Sequence, residues 1–224
     1  SLPPLRVPPR LNTPLLTPIL SGLAAVALLL SSASAQSTTR VSVNSAGVQG
    51  NQSSSHASIS DDGRYVAFFS FATNLVPGDT NGWEDTFVHD RQTGQTSRVS
   101  VDSAGVQGNG QSGEPSISAD GRYVAFFSLA NLVPGDTGLQ DIFVHDLQTG
   151  QTSRVSEDSN GAPGNDRSKT PSISADGSYV AFASLATNLV SGDAHMDYEL
   201  FVKDRQTGQT SRINVDSAGV QGES

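Results

Sequence analysis

From Arg40 onward, apolar residues fall in short runs separated by Gly, Ser, Asn and Asp, and no stretch has the three- and four-residue spacing of a helix face. Residues 98–153 show the pattern well. Residues 115–118 lead into Asp120-Gly121, a tight-turn signal. Residues 122–128 (RYVAFFS) are apolar at nearly every position and rich in aromatic and β-branched side chains, which predicts a strand covered on both faces. A turn-rich stretch, 131–138, precedes a third apolar run, 141–146 (DIFVHD). The turn Gln148-Thr149-Gly150-Gln151 then leads into 152–155, where polar and apolar residues alternate, predicting a fourth strand with one wet face.

The same order of runs recurs. Ser-Ile-Ser-(Ala/Asp)-Asp-Gly-(Arg/Ser)-Tyr-Val-Ala-Phe stands at 58–68, 116–126 and 172–182, and new copies open at Arg40, Arg98, Arg154 and Arg212. A unit repeated at this period buries its apolar faces only by stacking on its neighbours. Four antiparallel strands joined by turns describe one propeller blade, whereas a solenoid needs a parallel stack of shorter coils. The expected fold is therefore all-β: a β-propeller of four-stranded blades, with blades at 40–97, 98–153 and 154–211 and the start of a further repeat at 212–224. Residues 39–43 (TRVSV) read as a fourth strand that precedes the first blade.

The run S-I-S-A-D-G-R-Y-V-A-F followed by D-I-F-V-H-D-L-Q-T-G resembles the TolB-type, WD-repeat-like β-propeller repeats of bacterial envelope and secreted proteins. The resemblance covers the chain from Arg40 onward. It implies a propeller fold and an exported location, and leaves the activity open, because propellers host many unrelated functions. Three features depart from the pattern. The repeat is longer than the ~40–45 residues of a WD-type blade, Ser-Pro-Asp-Gly becomes Ser-Ala-Asp-Gly or Ser-Asp-Asp-Gly, and the Ser-x-Asp-x-Gly-x-x-Trp box of sialidases is absent.

In an antiparallel blade, alternate connections lie at opposite ends. The Asp-Gly and Gln-Thr-Gly-Gln turns are short and share one end. The links 44–57, 102–114 and 158–170, with the loops after Asn74, Asn131 and Asn188, share the other. A rigid scaffold that gathers its long loops at one end presents a working surface there.

Residues 1–35 have a different composition. Arg6 and Arg10 precede an apolar run at 15–30 broken by Pro18 and Gly22, and Ala33-Ser34-Ala35 fits a small-residue cleavage site. The run is shorter than the ~20 residues that span a bilayer. Together these predict a secretory signal peptide, with no membrane insertion after its removal. The chain has no cysteine, so the fold must hold without disulfides. Net charge is −9, and the part after Ala35 carries −11. That acidity, without a basic patch, excludes nucleic acid as the expected partner and suits an exported protein or one that binds divalent cations.

Candidate chemistry is sparse. In 79–85 (DTNGWED), oxygen-bearing side chains at alternate positions and a Gly resemble the front half of a Ca²⁺ loop, with Asp79, Asn81, the Trp83 carbonyl and Asp85 as donors. No bidentate Glu follows at EF-hand distance, and the same residues also make a plain Asp/Gly turn. The later copies have Asp136 and Asp141, then Asp193, Asp197 and Glu199 with His195 between. His89, His145 and Lys203 share one repeat position, which reads as a solvated strand site; His56 falls in a polar link. Trp83 is the one tryptophan, expected to pack over its own blade. Asp61-Asp62 point apart on their turn, and no nucleophile, zinc or phosphate-loop motif is present, so no catalytic residue is assigned.

The expected function is a secreted or envelope binding module, without catalysis, that offers its long-loop end to a protein or glycan. The alternative is the propeller part of a larger secreted hydrolase whose chemistry lies outside this chain. Propellers have about 4–8 blades, so three blades are expected to belong to a larger ring, completed by further sequence or by self-association. The chain opens with Ser1 and closes at Ser224 inside a link resembling 102–108. N-terminal sequencing of exported protein should begin at Gln36. A chain that keeps 15–30 in the membrane would identify that run as an anchor instead.

Overall fold

The computed structural model describes residues 37–193 and 197–215. The expected leader and its expected cleavage site, with His195 and 216–224, lie outside them. Among the described residues, those from Thr39 onward form one compact unit. It contains twelve strands: β1 (Ser54–Ile59), β2 (Tyr65–Ser70), β3 (Asp85–Asp90), β4 (Thr96–Arg98), β5 (Ser112–Ile117), β6 (Tyr123–Ser128), β7 (Asp141–Asp146), β8 (Thr152–Arg154), β9 (Ser168–Ile173), β10 (Tyr179–Ser184), β11 (Glu199–Asp204) and β12 (Thr210–Arg212). They pair in chain order into three separate four-stranded antiparallel sheets, the blades expected from the repeats.

The repeated Ser-x-Asp-Gly motif explains the first turn of each blade. Ser60 donates from Oγ to Asp62 Oδ1 at 2.6 Å and accepts from the Tyr65 N–H at 3.0 Å. Asp62 Oδ1 also accepts the Arg64 N–H, and Gly63 closes the turn at φ 69°. Ser118/Asp120 and Ser174/Asp176 repeat the arrangement. The turn thus satisfies its own polar groups and sets the register of β1 on β2. The second turn hangs on Asp90 and Asp146, whose Oδ1 atoms accept the N–H groups of Gln92 and Gln148. Arg64 and Arg122 grip these carboxylates with two hydrogen bonds each, at 2.7–3.0 Å. The Asp146 carboxyl is consequently held down at about 2, first by Arg122, and Asp90 is lowered for the same reason.

The core lies between blades. One apolar cluster joins Ala67, Val88 and Val99 of the first blade to Val124, Phe126 and Phe143 of the second. Another joins Ala125, Phe127, Ile142, Val144 and Val155 of the second to Val180, Phe182 and Phe201 of the third. The central strands β6 and β7 of the second blade are therefore covered on both faces, as the unbroken apolar run of β6 requires. The first strands β1, β5 and β9 contact one another and form the converging inner edge. Main-chain bonds stitch the seams: Asp61 N–H to Ala119 O, Ala119 N–H to Ala175 O, Ser112 N–H to Glu84 O and Ser168 N–H to Gln140 O, all 2.7–2.9 Å.

Three boundaries differ from the sequence reading. Residues 39–43 form no strand; only Val43 makes an isolated bridge, to Gln49. Their counterparts 97–101 follow a third strand to pair with, and 39–43 do not. The long links end sooner than expected, because β1, β5 and β9 begin at Ser54, Ser112 and Ser168. The fourth strand stops at Arg154, one residue before Val155, which turns into the shared core.

A close approach locks neighbouring blades. A Cβ on Gly177 (φ 73°) would sit 2.2 Å from Tyr123 Cδ2, and one on Gly121 would meet Tyr65 the same way. Gly150 has the same φ and open space around it. Alanine at either Gly177 or Gly150 should cost about 1–2 kcal/mol for the left-handed backbone. Gly177→Ala should lose a further ~1–3 kcal/mol because the tyrosine ring must move. Urea midpoints of the two variants give the comparison, and equal losses would remove the ring from the account.

Candidate binding surface

Each link folds back on itself before entering its blade. Isolated bridges pair Val43 with Gln49, Val101 with Gln107 and Glu157 with Pro163. A side-chain oxygen closes each hairpin: Asn44 Oδ1 accepts the N–H groups of Ala46 and Val48, Asp102 those of Ala104 and Val106, Asp158 those of Asn160 and Ala162. A threonine clips the hairpin to its blade. Thr152 Oγ1 donates to Val101 O at 2.6 Å, and its N–H donates to Ser103 Oγ at 3.0 Å. Thr96 and Thr210 do the same to Val43/Ser45 and Glu157/Ser159.

Between each hairpin and the neighbouring long loop lies a cleft, one per blade. The first, about 440 Å³, lies between 44–46 and 74–77. The second, about 380 Å³, lies between 102–104 and 131–134. The third, about 600 Å³, lies between 158–160 and 187–192. Each has a Leu-Val floor (Leu75-Val76, Leu132-Val133, Leu189-Val190) and walls that include Asn and Ser. All three fall in the size range of ligand sites.

The shared His/Lys position is buried, contrary to the solvated site expected from its tolerance of either residue. The hairpin lies over it. His89 and His145 place Nδ1 2.9 Å from the hydroxyl of Thr96 and Thr152. Each hydroxyl gives its hydrogen to a hairpin carbonyl, so Nδ1 must carry the proton it donates. Burial pushes both imidazoles below their ordinary range. In the third blade Lys203 reaches the hairpin directly, donating to Asp158 O at 3.0 Å with Glu157 Oε1 at 3.3 Å.

The proposed calcium donors are partly gathered. Asp79, Asn81 and Asp85 converge, and Trp83 gives its N–H to Asn81 Oδ1 while its side chain is exposed rather than packed on the blade. A cation of the chain already stands there: Arg98 Nη1 lies 2.9 Å from Asp85 and 3.6 Å from Asp79. Gln107 of the following hairpin donates to both carboxylates, and Asn81 donates to Gly108 O. Burial, then the Asp85 charge, raises the Asp79 carboxyl. In the second blade Asp141 pairs with Arg154 at 3.3 Å, and burial lifts its carboxyl to about 6. In the third, Arg212 pairs with Asp193 and Glu199. Among the described residues, no three His, Asp or Glu side chains are grouped to hold a metal.

Sequence reasoning passed over the inner edge. His56, Glu114 and Thr170 have φ of 50°, 49° and 51° at the same bulge of β1, β5 and β9. With Ala57, Pro115 and Pro171 they line a cleft of about 320 Å³. His56 stacks on Phe69, and Thr170 N–H donates to Glu114 Oε2 at 3.0 Å. Repeat alignment carries the signal: three unlike residues stand in register just ahead of the constant Ser-Ile-Ser.

No protein-family model matches the sequence, and no curated protein does. Solved structures that the chain resembles include a putative TolB from Agrobacterium tumefaciens, at 19% identity and a TM-score of 0.48 over 71% of this chain and 48% of that one. TolB from Acinetobacter baumannii gives 19% identity and a TM-score of 0.33 over 72% of this chain and 43% of that one. The acylaminoacyl peptidase of Pyrococcus horikoshii gives 14% and 0.43 over 72% and 24%. The chain thus spans about half the length of the TolB structures and less of the peptidase.

Because Arg98 already stands between Asp79 and Asp85, Ca²⁺ and chelator should leave the melting temperature of the parent unchanged, and likewise that of Asp79→Ala. A Ca²⁺-dependent rise in the parent that Asp79→Ala abolishes would establish the calcium loop.

Proposed function

We propose that this protein is an exported, envelope-associated or secreted binding module that takes a protein or glycan on its long-loop end, without catalysis of its own. The observation that carries the reading is the threefold cleft. The same hairpin-and-loop recess, with the same Leu-Val floor, occurs once per blade. A multivalent surface suits a partner that offers repeated or extended features, since linked sites raise avidity without any new contact.

The charged groups at the clefts support binding over proton transfer. Asp102 and Asp158 each accept two hairpin N–H groups on Oδ1, and in Asp158 those bonds, led by the Ala162 N–H, lower the carboxyl. A carboxylate held ionised in this way is a poor acid or base near neutral pH. No helix of the described residues is long and apolar enough to cross a membrane.

Ala46, Ala104 and Asn160 are exposed at the hairpin tips, one per cleft. Arginine at all three should block the clefts and reduce capture of envelope proteins and of arrayed glycans at least tenfold. Arginine at Gln92, Gln148 and Gln206, on the opposite end, adds equal charge and should leave capture intact. Equal capture by both triple variants, or loss only in the second, would place the partner elsewhere.

A further inference from the structure

The chain contains two copies of one interface and the two halves of a third. Where the second blade meets the third, Tyr123 lies against Gly177, Arg205 stacks over the Tyr123 ring at 4.5 Å, and Arg205 Nη1 donates to Gly177 O. Ile173 N–H donates to Ser116 Oγ. The first and second blades repeat the ring-on-glycine contact with Tyr65 and Gly121, and Ile117 N–H donates to Ser58 Oγ.

The outer face of the third blade presents the receiving half to solvent. Leu200, Ile213 and Tyr179 are 48%, 49% and 49% exposed. Thr86 and Ile142, at the position of Leu200, are fully buried, as are Val99 and Val155, at that of Ile213. The inner edge of the first blade presents the entering half. Ile59 is 56% exposed, whereas Ile117 is buried, and Gly63 has no tyrosine over it. Arg91 holds Gly63 O as Arg205 holds Gly177 O. The second blade carries Leu147 at that place, so the first blade matches the third in its docking edge. The match extends inward: Val66, Phe68, Ala72, Leu75 and Phe87 repeat, residue for residue, the Val180, Phe182, Ala186, Leu189 and Phe201 that seat the third blade on the second. Val66, Phe68 and Phe87 are buried in the single chain, where Phe68 and Phe87 cluster with Ala72 and Leu75 of their own blade.

We propose that the outer face of the third blade binds the first blade of a second copy of this chain, head to tail, and that two copies close a six-bladed ring. Tyr179 then lies on the partner's Gly63 with the partner's Arg91 stacked over it. Ala175 N–H reaches the partner's Asp61 O, continuing the Asp61–Ala119–Ala175 series. Six blades fall within the ~4–8 of known propellers. A head-to-tail contact that closes has no free edge, whereas one that fails to close grows into a fibre.

The test uses the chain from Gln36 onward, which keeps the whole compact unit with all three blades. Light scattering coupled to size exclusion should give twice the chain mass. Leu200→Glu, on the receiving face, and Ile59→Glu, on the entering edge, should each give monomers that keep the parent's β-sheet circular dichroism. Mixed together, these two variants should recover dimers, because each retains the half the other lacks. A monomeric parent, aggregates of indefinite size, or dimers indifferent to both substitutions would overturn the proposal. A monomer or aggregate would assign the face to further blades of a longer polypeptide.

Discussion

Apolar burial between adjacent blades is the interaction on which the structure rests. A blade of this size cannot bury both faces of its central strands alone, and every shared cluster of the chain draws side chains from two blades. The Phe68–Phe87, Phe126–Phe143 and Phe182–Phe201 pairs show how the face is filled, with ring centroids 5.8–6.1 Å apart. The tyrosine-on-glycine contact then fixes the distance between one blade's β2-type strand and the next blade's turn. Glycine serves twice there, for the left-handed turn and for the ring above it.

The polar seams follow from that packing. Once two blades are pressed together, the links between them run through partly buried ground, and their polar groups need partners. Gln107 binds the carboxylates of the blade behind it, while Val101 and Ser103 of the same link hold the threonine of the blade ahead. The acidic loop that resembles a cation site is part of this seam, with Arg98 as its positive charge. In the second seam Pro163 stands where Gln107 stands in the first, and burial raises the Asp141 carboxyl.

The same seams create the clefts. Hairpins clipped to the blades by Thr96, Thr152 and Thr210 stand beside the long loops, leaving a recess with an apolar floor in each repeat. The proposed binding surface and the blade cement are thus made from one segment, with its tip exposed and its stem engaged. That division explains why exposed Ala46, Ala104 and Asn160 sit next to residues that are fully committed to hydrogen bonds.

The blade itself was legible in the chain because its determinants are local. Ser-x-Asp-Gly closes its own turn, and the run Tyr-Val-Ala-Phe needs cover on both faces whatever provides it. The third strand and the Gln-Thr-Gly-Gln turn follow for the same reason. Tertiary structure alone decided which groups meet across repeats. The burial of His89, His145 and Lys203 depends on a hairpin about one repeat earlier in the chain. The pairing of Arg98 with Asp79 and Asp85 depends on how a loop folds back over its own blade. The left-handed bulges at His56, Glu114 and Thr170 appear only where three inner strands converge. Residues 39–43 make the same point in reverse: they repeat the sequence of a fourth strand, yet a strand forms only where a third strand lies beside it to accept its hydrogen bonds.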